Sequence, residues 1–368
     1  MEDSMSFQEL QEIVSVCLDE IVQLKQDKEE LQKQISGMTT TIDNLVKSQK
    51  TMLTNMEKTN NDIALNLLLL NNGMNNVKYE LNDPRTNDKE LLFPQFYPIE
   101  ESVEEIVSKK RSMARFGDGE FAIMFNEKRQ KFQHLDDRLA NRLREIIATN
   151  EDGFLIGIAD NYGNLDKYNK GGKQGIRLYM TEEVRTEHWK YLDKNRVYHN
   201  AYISRPYALF ADNTTDAPKY RFHELRRIWN NRKIMFVEGA LTRLGVGNDL
   251  FDNAAQIRRI EAPPVNSFDK YDEILDAALK YAEDDTLFLI ALGPSAGVLA
   301  YDLYRAGYQA LDIGHVDLEY EWYLQGKGKR CEVKNKYNNE FPGGDIVEDV
   351  NDEKYLSQIV YIASDDTK

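Results

Sequence analysis

Cysteine is almost missing from this chain: its 368 residues carry two, Cys17 and Cys331. Two distant thiols cannot make a disulfide framework, and their scarcity points to a reducing compartment. Long apolar runs are missing too. The longest, such as Leu67–Leu70 and Leu287–Leu292, fall far short of the roughly 20 residues that cross a bilayer, so no transmembrane segment is expected. The opening MEDSMSFQEL is acidic and polar, which does not read as a secretory signal; a cytoplasmic location is the expectation. Basic residues are in deficit, 47 against 62 acidic ones for a net charge of −15. Binding nucleic acid at large needs a positive face that neutralises phosphates, so that class is excluded. A local basic pocket for a diphosphate is not.

What is present begins with a repeat. From about residue 7 to 63 apolar residues recur every seven positions. One seam holds Phe7, Val14, Ile21, Ile35, Ile42, Met56 and Ile63, the other Leu10, Leu24, Leu31, Met38, Leu45 and Met52. A 3.5-residue period keeps one stripe facing a partner helix, which predicts a left-handed coiled coil and a homo-oligomer. A helix folded back on its own domain is the alternative. Lys28 and Gln49 occupy seam positions, where polar residues cost stability but fix register. NNGMNN at 71–76 breaks the period and predicts the end of the stalk. The expected organisation is a stalk over 1–75, a polar linker over 76–95, an α/β domain over 96–345 and an acidic tail over 346–368, partly disordered.

Within 96–345 helical and short apolar segments alternate. Helices are predicted near 100–112, 135–148, 181–192 (with Thr181 as N-cap), 222–230 and 271–282, and strands at 113–116, 154–158, 233–237 and 286–292. A glycine-rich polar loop is expected over 161–175. ALGPSAGVLAYDLYRAGYQALDIGH reads strand, turn, helix, cap, strand, a βαβ unit with parallel strands.

Four constellations and one further turn carry chemistry. Arg115-Phe116-Gly117-Asp118-Gly119-Glu120 sets two carboxylates around a glycine. If the backbone turns sharply, Asp118 and Glu120 reach one point, and Mg²⁺ or Mn²⁺ takes few protein carboxylates while phosphate and water fill the rest. Arg115 would then pair with a phosphate oxygen; a plain Asp-Gly hairpin turn is the alternative. The stretch 237–249 runs from an apolar strand into a loop with Gly239, Arg243, Gly245, Gly247 and Asn248. Glycines at the carboxyl end of a parallel strand let amides approach phosphate, although an ordinary βα loop looks the same. The stretch 312–322 places His315 to bind metal or phosphate and Asp317 or Glu319 to act as general base, against the alternative of a solvated helix start. Gly293-Pro294-Ser295-Ala296 opens a helix with a turn suited to an anion. Last, Tyr202, Arg205 and Tyr207 offer rings for stacking and one cation, or simply core packing.

In order and spacing, RFGDGEF at 115–121, VEGALTRLGVGNDLFDNAAQIRRIEAP and GPSAGVLAYDLYRAGYQALDIGHVDLEYEW resemble the GT-D-type glycosyltransferases, a bacterial family first catalogued as a domain of unknown function. The likeness covers roughly 100–322 and leaves out the stalk and tail. It implies a Rossmann-like α/β catalytic domain that uses a nucleotide sugar, usually a UDP-sugar, with Mn²⁺ or Mg²⁺. The family's Asp-x-Glu motif falls on Asp118 and Glu120, with His315 a further candidate ligand. On this reading the cation, Arg115, Arg205 and the loop of Gly239, Arg243, Gly245, Gly247 and Asn248 neutralise the departing diphosphate. Asp317, or else Glu238, would accept the proton of the attacking hydroxyl if the configuration inverts. The resemblance associates such enzymes with surface adhesins and polysaccharides, so the acceptor would be a glycan or glycoprotein. A nucleotide-binding hydrolase or phosphotransferase, and a non-catalytic coiled-coil assembly factor, stay open as other readings.

Overall fold

A computed structural model describes residues 7–81, 93–127, 133–341, 343–344 and 346–363. The chain divides into two compact units, Met1–Leu68 and Leu69–Lys368. The first is helix throughout its described residues, the body of α1 (Phe7–Leu81). Both heptad seams lie along it, and their apolar side chains from Leu10 to Ile63 are between 47% and 69% exposed. Its threonines do not interrupt it, because hydroxyls such as those of Thr39, Thr40 and Thr41 donate to carbonyls four residues back.

The expected break at 71–76 does not occur. The helix runs through Gly73 to Leu81, and Asn72, buried, donates from Nδ2 to the Leu178 carbonyl at 3.1 Å. Within the second unit Asn72 ties this part of the helix to the Leu178 carbonyl instead of ending it. Most of the expected linker, 82–92, lies outside the described residues.

The second unit then follows in chain order as β1 (Gln95–Phe96), α2 (Ile99–Ser108), β2 (Ser112–Phe116), α3 (Asp118–Met124), α4 (Asp137–Ala148), β3 (Phe154–Ile158), α5 (Lys170–Tyr179), α6 (Glu182–His188), β4 (Val197–Asn200), α7 (Ala217–Trp229), β5 (Lys233–Gly239), β6 (Gln256–Ala262), α8 (Tyr271–Tyr281), β7 (Leu287–Ala291), α9 (Ser295–Arg305), β8 (Gln309–Asp312), α10 (Val316–Leu324), α11 (Glu353–Gln358) and β9 (Ile359–Ile362). Nine strands form one sheet in the order β1-β4-β3-β2-β8-β7-β5-β6-β9. Every described pairing is parallel, so all carboxyl ends share one edge.

Helices cover both faces, which is why the central strands are apolar at consecutive positions. Met235, Val237, Phe288 and Ile290 pack into one layer, and Ile234, Phe236, Leu287 and Leu289 into the other, the period of two that a pleated strand imposes. The βαβ unit β7-α9-β8 is present with parallel register, Leu287 beside Gln309 and Ile290 beside Asp312. Helix α9 packs across β2, β7 and β8. Its small first turn allows this: a Cβ on Gly297 would stand 3.4 Å from Cβ of Ala114.

Three expectations change. The Asp-Gly segment opens helix α3 rather than a hairpin. The glycine-rich stretch 161–175 ends inside α5, whose N-cap Asn169 accepts a hydrogen bond from the Gly172 amide. The tail is not left out of the fold: Ile359–Ile362 pairs with β6 as the ninth strand, while 364–368 lie outside the described residues.

One buried histidine gives the fold a pH signature. His188 stacks on Phe121 at 3.8 Å between ring centroids, and its two nitrogens meet the hydroxyls of Tyr162 at 2.5 Å and Tyr179 at 3.0 Å. Burial pushes its pKa down to about 3. The unfolded imidazole takes up a proton below about pH 6.5 while the folded one stays neutral. This contribution to stability is therefore whole above pH 6.5 and is lost as pH falls toward 3. In urea melts between pH 6 and 4, His188→Gln is expected to remove about 1.4 kcal/mol per pH unit from the slope of stability against pH. An unchanged slope would mean that His188 protonates in the folded state.

Candidate active site

Strand β2 ends at Phe116, and extended Gly117 leads into α3. Glu120 turns back: its Oε2 accepts the Gly117 amide at 2.7 Å, half of a capping box and a favourable use of a carboxylate at a helix N-terminus. Burial, and next the charge of Asp312, raise the Glu120 pKa to about 7. Asp118 is exposed in the same first turn, and its charge is felt by the Tyr202 phenol. Both carboxylates thus sit on the first turn of α3 just past the end of β2, Glu120 under the influence of Asp312 on β8, and Tyr202 after β4 under that of Asp118.

Arg115 is committed to the neighbouring strand. Its Nε donates to the Asp312 carbonyl at 2.9 Å and its Nη2 to Asp312 Oδ1 at 2.5 Å. Burial raises the Asp312 carboxyl, with Arg115 opposing that shift. Gly314 makes the approach possible: its φ is +43°, and a Cβ there would lie 2.1 Å from Arg115 Nη2. Only glycine is compatible with both.

Beyond β4, a 3₁₀ turn at Ala201–Ser204 delivers Arg205. Its Nη2 donates to Glu340 Oε1 at 2.6 Å and reaches His315 Nδ1 at 3.2 Å. A guanidinium has no lone pair to offer, so Nδ1 is the acceptor and the imidazole proton sits on Nε2. Burial, then Arg205, push the His315 pKa down to about 3. In this tautomer neither ring nitrogen holds a lone pair free for a metal. Burial works to raise the Glu340 carboxyl, but Arg205, with Arg330 adding to it, outweighs burial and holds it well below the usual range. Glu319, expected as a possible base, is 1% exposed and accepts the amides of Tyr207 and Ala208 at 3.0 and 2.7 Å. It fixes the segment that carries Arg205.

The glycine loop after β5 is held from within. Asp317 Oδ1 accepts from the Gly245 amide at 2.9 Å and Asn248 Nδ2 at 2.8 Å, and its Oδ2 from Lys336 Nζ at 2.6 Å. Glu238 accepts the Leu244 amide and pairs with Arg259; burial raises its pKa against the pull of Arg259. Arg243 donates to the Asn335 carbonyl at 2.9 Å. Gly239 lies against Pro264, whose Cα would be 3.1 Å from an added Cβ, and Gly247 holds φ +82°. Asp317 and Glu238 are 2% and 0% exposed. The geometry gives both the work of shaping this loop.

Asp118, Glu120, Arg205 and His315, drawn from three parts of the chain, thus lie along one sheet edge, with the loop after β7 beside them: Pro294 lies 3.8 Å from the position of a Cβ on Gly119. Sequence reasoning missed Glu340 and Lys336. Both sit in an irregular return of the chain with no motif around them, so no local signal marks them. Among the described residues no three His, Cys, Asp or Glu side chains form a ready metal cage. The donor set nevertheless suits a hard divalent ion that draws most ligands from phosphate and water. It offers carboxylate oxygens, and Glu120 bears a charge that burial and Asp312 disfavour and a cation would favour.

The family described as glycosyltransferase GT-D fold matches residues 113–341. The chain is 36% identical over 265 residues to a probable glycosyl transferase, Gly, of Streptococcus gordonii, covering 71% of this chain and 38% of that one. It is 34% identical over 274 residues to the glycosyltransferase GlyD of Streptococcus pneumoniae serotype 4, covering 74% and 33%. The chain thus spans only about a third of the length of these curated relatives. Among solved structures, a highly conserved domain of unknown function with a distinct glycosyltransferase fold aligns with TM-score 0.68 and 35% identity, over 73% of this chain and 95% of that one. A new glycosyltransferase from Streptococcus sanguinis aligns with TM-score 0.68 and 34% identity, over 74% and 100%. Fold and relatives place the chain among the glycosyltransferases. Within that class it belongs to the GT-D fold family.

Lys336 is the test of the inner network. It is 3% exposed between Asp317 and Glu321, at 2.6 and 2.8 Å; burial disfavours its ammonium, but the two carboxylates raise its pKa overall. Lys336→Met leaves buried carboxylates without their cation, and a loss of about 3–5 kcal/mol in the urea unfolding free energy is expected. A loss below about 1 kcal/mol, the size of an exposed pair, would show that the loop does not depend on it.

Proposed function

We propose that the chain moves a hexose from a UDP-sugar to a hydroxyl of a glycan or glycoprotein acceptor, with Mn²⁺ or Mg²⁺ held by Asp118 and Glu120. The observation that carries this reading is the convergence of Asp118, Glu120, Arg205 and His315 at the carboxyl edge of the sheet, where open α/β sheets bind ligands. A divalent ion there would neutralise charge that develops on the departing diphosphate.

The chain's own groups divide the remaining work. Arg205 has a buried Nη1 with no hydrogen-bond partner among the described residues; Glu319, at 4.0 Å, is only an ion-pair neighbour. That orphan donor is the one we assign to a phosphate oxygen. His315 stays neutral at working pH, so it donates from Nε2 without adding charge. Arg115, held on Asp312, contributes fixed positive potential behind Glu120. Asp317 and Glu238 support the loop at Gly245–Asn248, and either could act as base only by first giving up hydrogen bonds that hold it.

A panel of nucleotide sugars with Mn²⁺ and a glycan or glycoprotein acceptor, with product read by mass, tests the reading. Asp118→Ala and Glu120→Ala are each expected to lower kcat/KM by at least about a hundredfold, and chelation of the metal to do the same. Wild-type transfer rates in both variants would remove the cation from the reading. Nucleotide released without sugar on the acceptor would favour a hydrolase.

A further inference from the structure

A long helix with a bare apolar stripe is not self-sufficient in water, since most helical stability in proteins comes from packing an amphipathic face. In the first unit that stripe is exposed along its whole length. We propose that it is covered by the same stripe of a second copy of this chain, the two helices lying parallel and in register as a two-stranded coiled coil over residues 7–68. This stands apart from the catalytic reading and fails or survives without it.

Three features of the seam choose this arrangement. One edge position is β-branched at Val14, Ile21, Ile35, Ile42 and Ile63, while the other is leucine at 10, 24, 31 and 45. β-branched residues at the first core position with leucine at the second favour two parallel strands. The flanks agree. In a parallel pair each flanking residue meets the one five places on in its partner, which sets Glu20 against Lys25 of the partner copy and Ile13 against Leu18 of the partner copy. An antiparallel pair would instead set like flank against like. The flank holding Glu20 has Asp27 and Asp62 as its other charged members, so that edge would gather acidic groups alone. Register follows from Lys28 and Gln49. In register each polar core residue faces its own counterpart, and Lys28 lies beside Asp27 of the partner copy. A shift of one heptad would set Lys28 against Ile21 or Ile35, and Gln49 against Ile42 or Met56, burying polar groups on apolar ones.

Cys17 reports on the arrangement because it occupies the leucine-type seam position, seven residues after Leu10, and is exposed in the single chain. Parallel and in register, two Cys17 residues face each other across the seam, at the roughly 4.4–6.8 Å between Cα atoms that a disulfide spans. Paired antiparallel over the same length, they would stand about 60 Å apart at about 1.5 Å per residue. The experiment treats the full chain at about 10 µM with diamide, which takes two electrons and two protons from two thiols and leaves one disulfide. Mass is followed by sedimentation and by non-reducing gel. The expected result is a dimer before oxidation and rapid cross-linking through Cys17. The rate should exceed that of an Ile35→Asp/Ile42→Asp variant by about a hundredfold, the ratio of a millimolar effective concentration to the bulk one. Cys17→Ser should abolish the cross-link and keep the dimer mass; buried Cys331 is the internal control. A monomer, a trimer, or a dimer that cross-links no faster than the seam variant would overturn the proposal.

Discussion

The second unit depends on a clasp between two arginine nitrogens and one aspartate. Where β2 meets β8, the sheet's two flanks are joined by a single register pair, Met113 with Leu311. By comparison β2 and β3 share five such pairs, and β5 and β6 seven. Side chains take over where the ladder is thin. Arg115 binds both the carbonyl and the carboxylate of Asp312, the Ala310 amide donates to the Ser112 hydroxyl, and Gln309 reaches the carbonyls of Ile106 and Arg111. A guanidinium suits this task because its planar fork satisfies two acceptors at once. Asp118 and Glu120 leave one side of this junction and His315 the other, so their spacing is set there.

Below the edge the chain keeps buried charges, and each is tied to loop backbone. Glu319 holds the amides of Tyr207 and Ala208, Asp317 that of Gly245, Glu238 that of Leu244. Desolvating a carboxylate is expensive, and a paired buried charge is weak evidence for stability as such. Its effect here is positional, because an irregular loop has no ladder of its own to define it. Arg259 and Lys336 then supply the cations that let Glu238 and Asp317 remain inside.

Much of this was legible in the sequence, for physical reasons that also mark the limits. Phe154–Ile158 and Leu287–Ala291 are read directly, since strands buried on both faces leave uninterrupted apolar runs. The heptads of α1 are as plain. Val197–Asn200 and Gln256–Ala262 are mixed in polarity, with Arg259 turned inward to a buried glutamate, and periodicity gives no hint of either. Ile359–Ile362 is apolar, but its acidic surroundings hide that it pairs with β6. At the site, the Asp-x-Glu spacing singles out Asp118 and Glu120 but not that Glu120 turns back on Gly117. The glycines after β5 suggest close approach to a phosphate, whereas the groups that come close in the structure are Pro264 at Gly239 and the Asp317 carboxylate at the Gly245 amide, and nothing crowds Gly247. Nothing within a few residues of Glu340 or Lys336 announces their partners, because those contacts exist only once the chain returns across the sheet edge.

Charge at that edge also constrains how a donor could be bound. Arg115, Arg205 and Arg330 stand there with Asp118, Glu120, Asp312 and Glu340, and His315 is neutral. Three guanidiniums against four carboxylates, in a chain whose net charge is −15, make no attractive field for a diphosphate. All three arginines are already engaged, Arg115 by Asp312, and Arg205 and Arg330 by Glu340. An anionic donor therefore needs positive charge beyond what the side chains supply. At that edge Glu120 is a carboxylate whose ionised form burial and Asp312 disfavour, and a nearby cation would favour it. The same carboxylates that would repel an anionic donor are the ones that would make a divalent ion worth binding, so under the proposed reading the acidity of the site and a phosphorylated donor would be reconciled only through a cation.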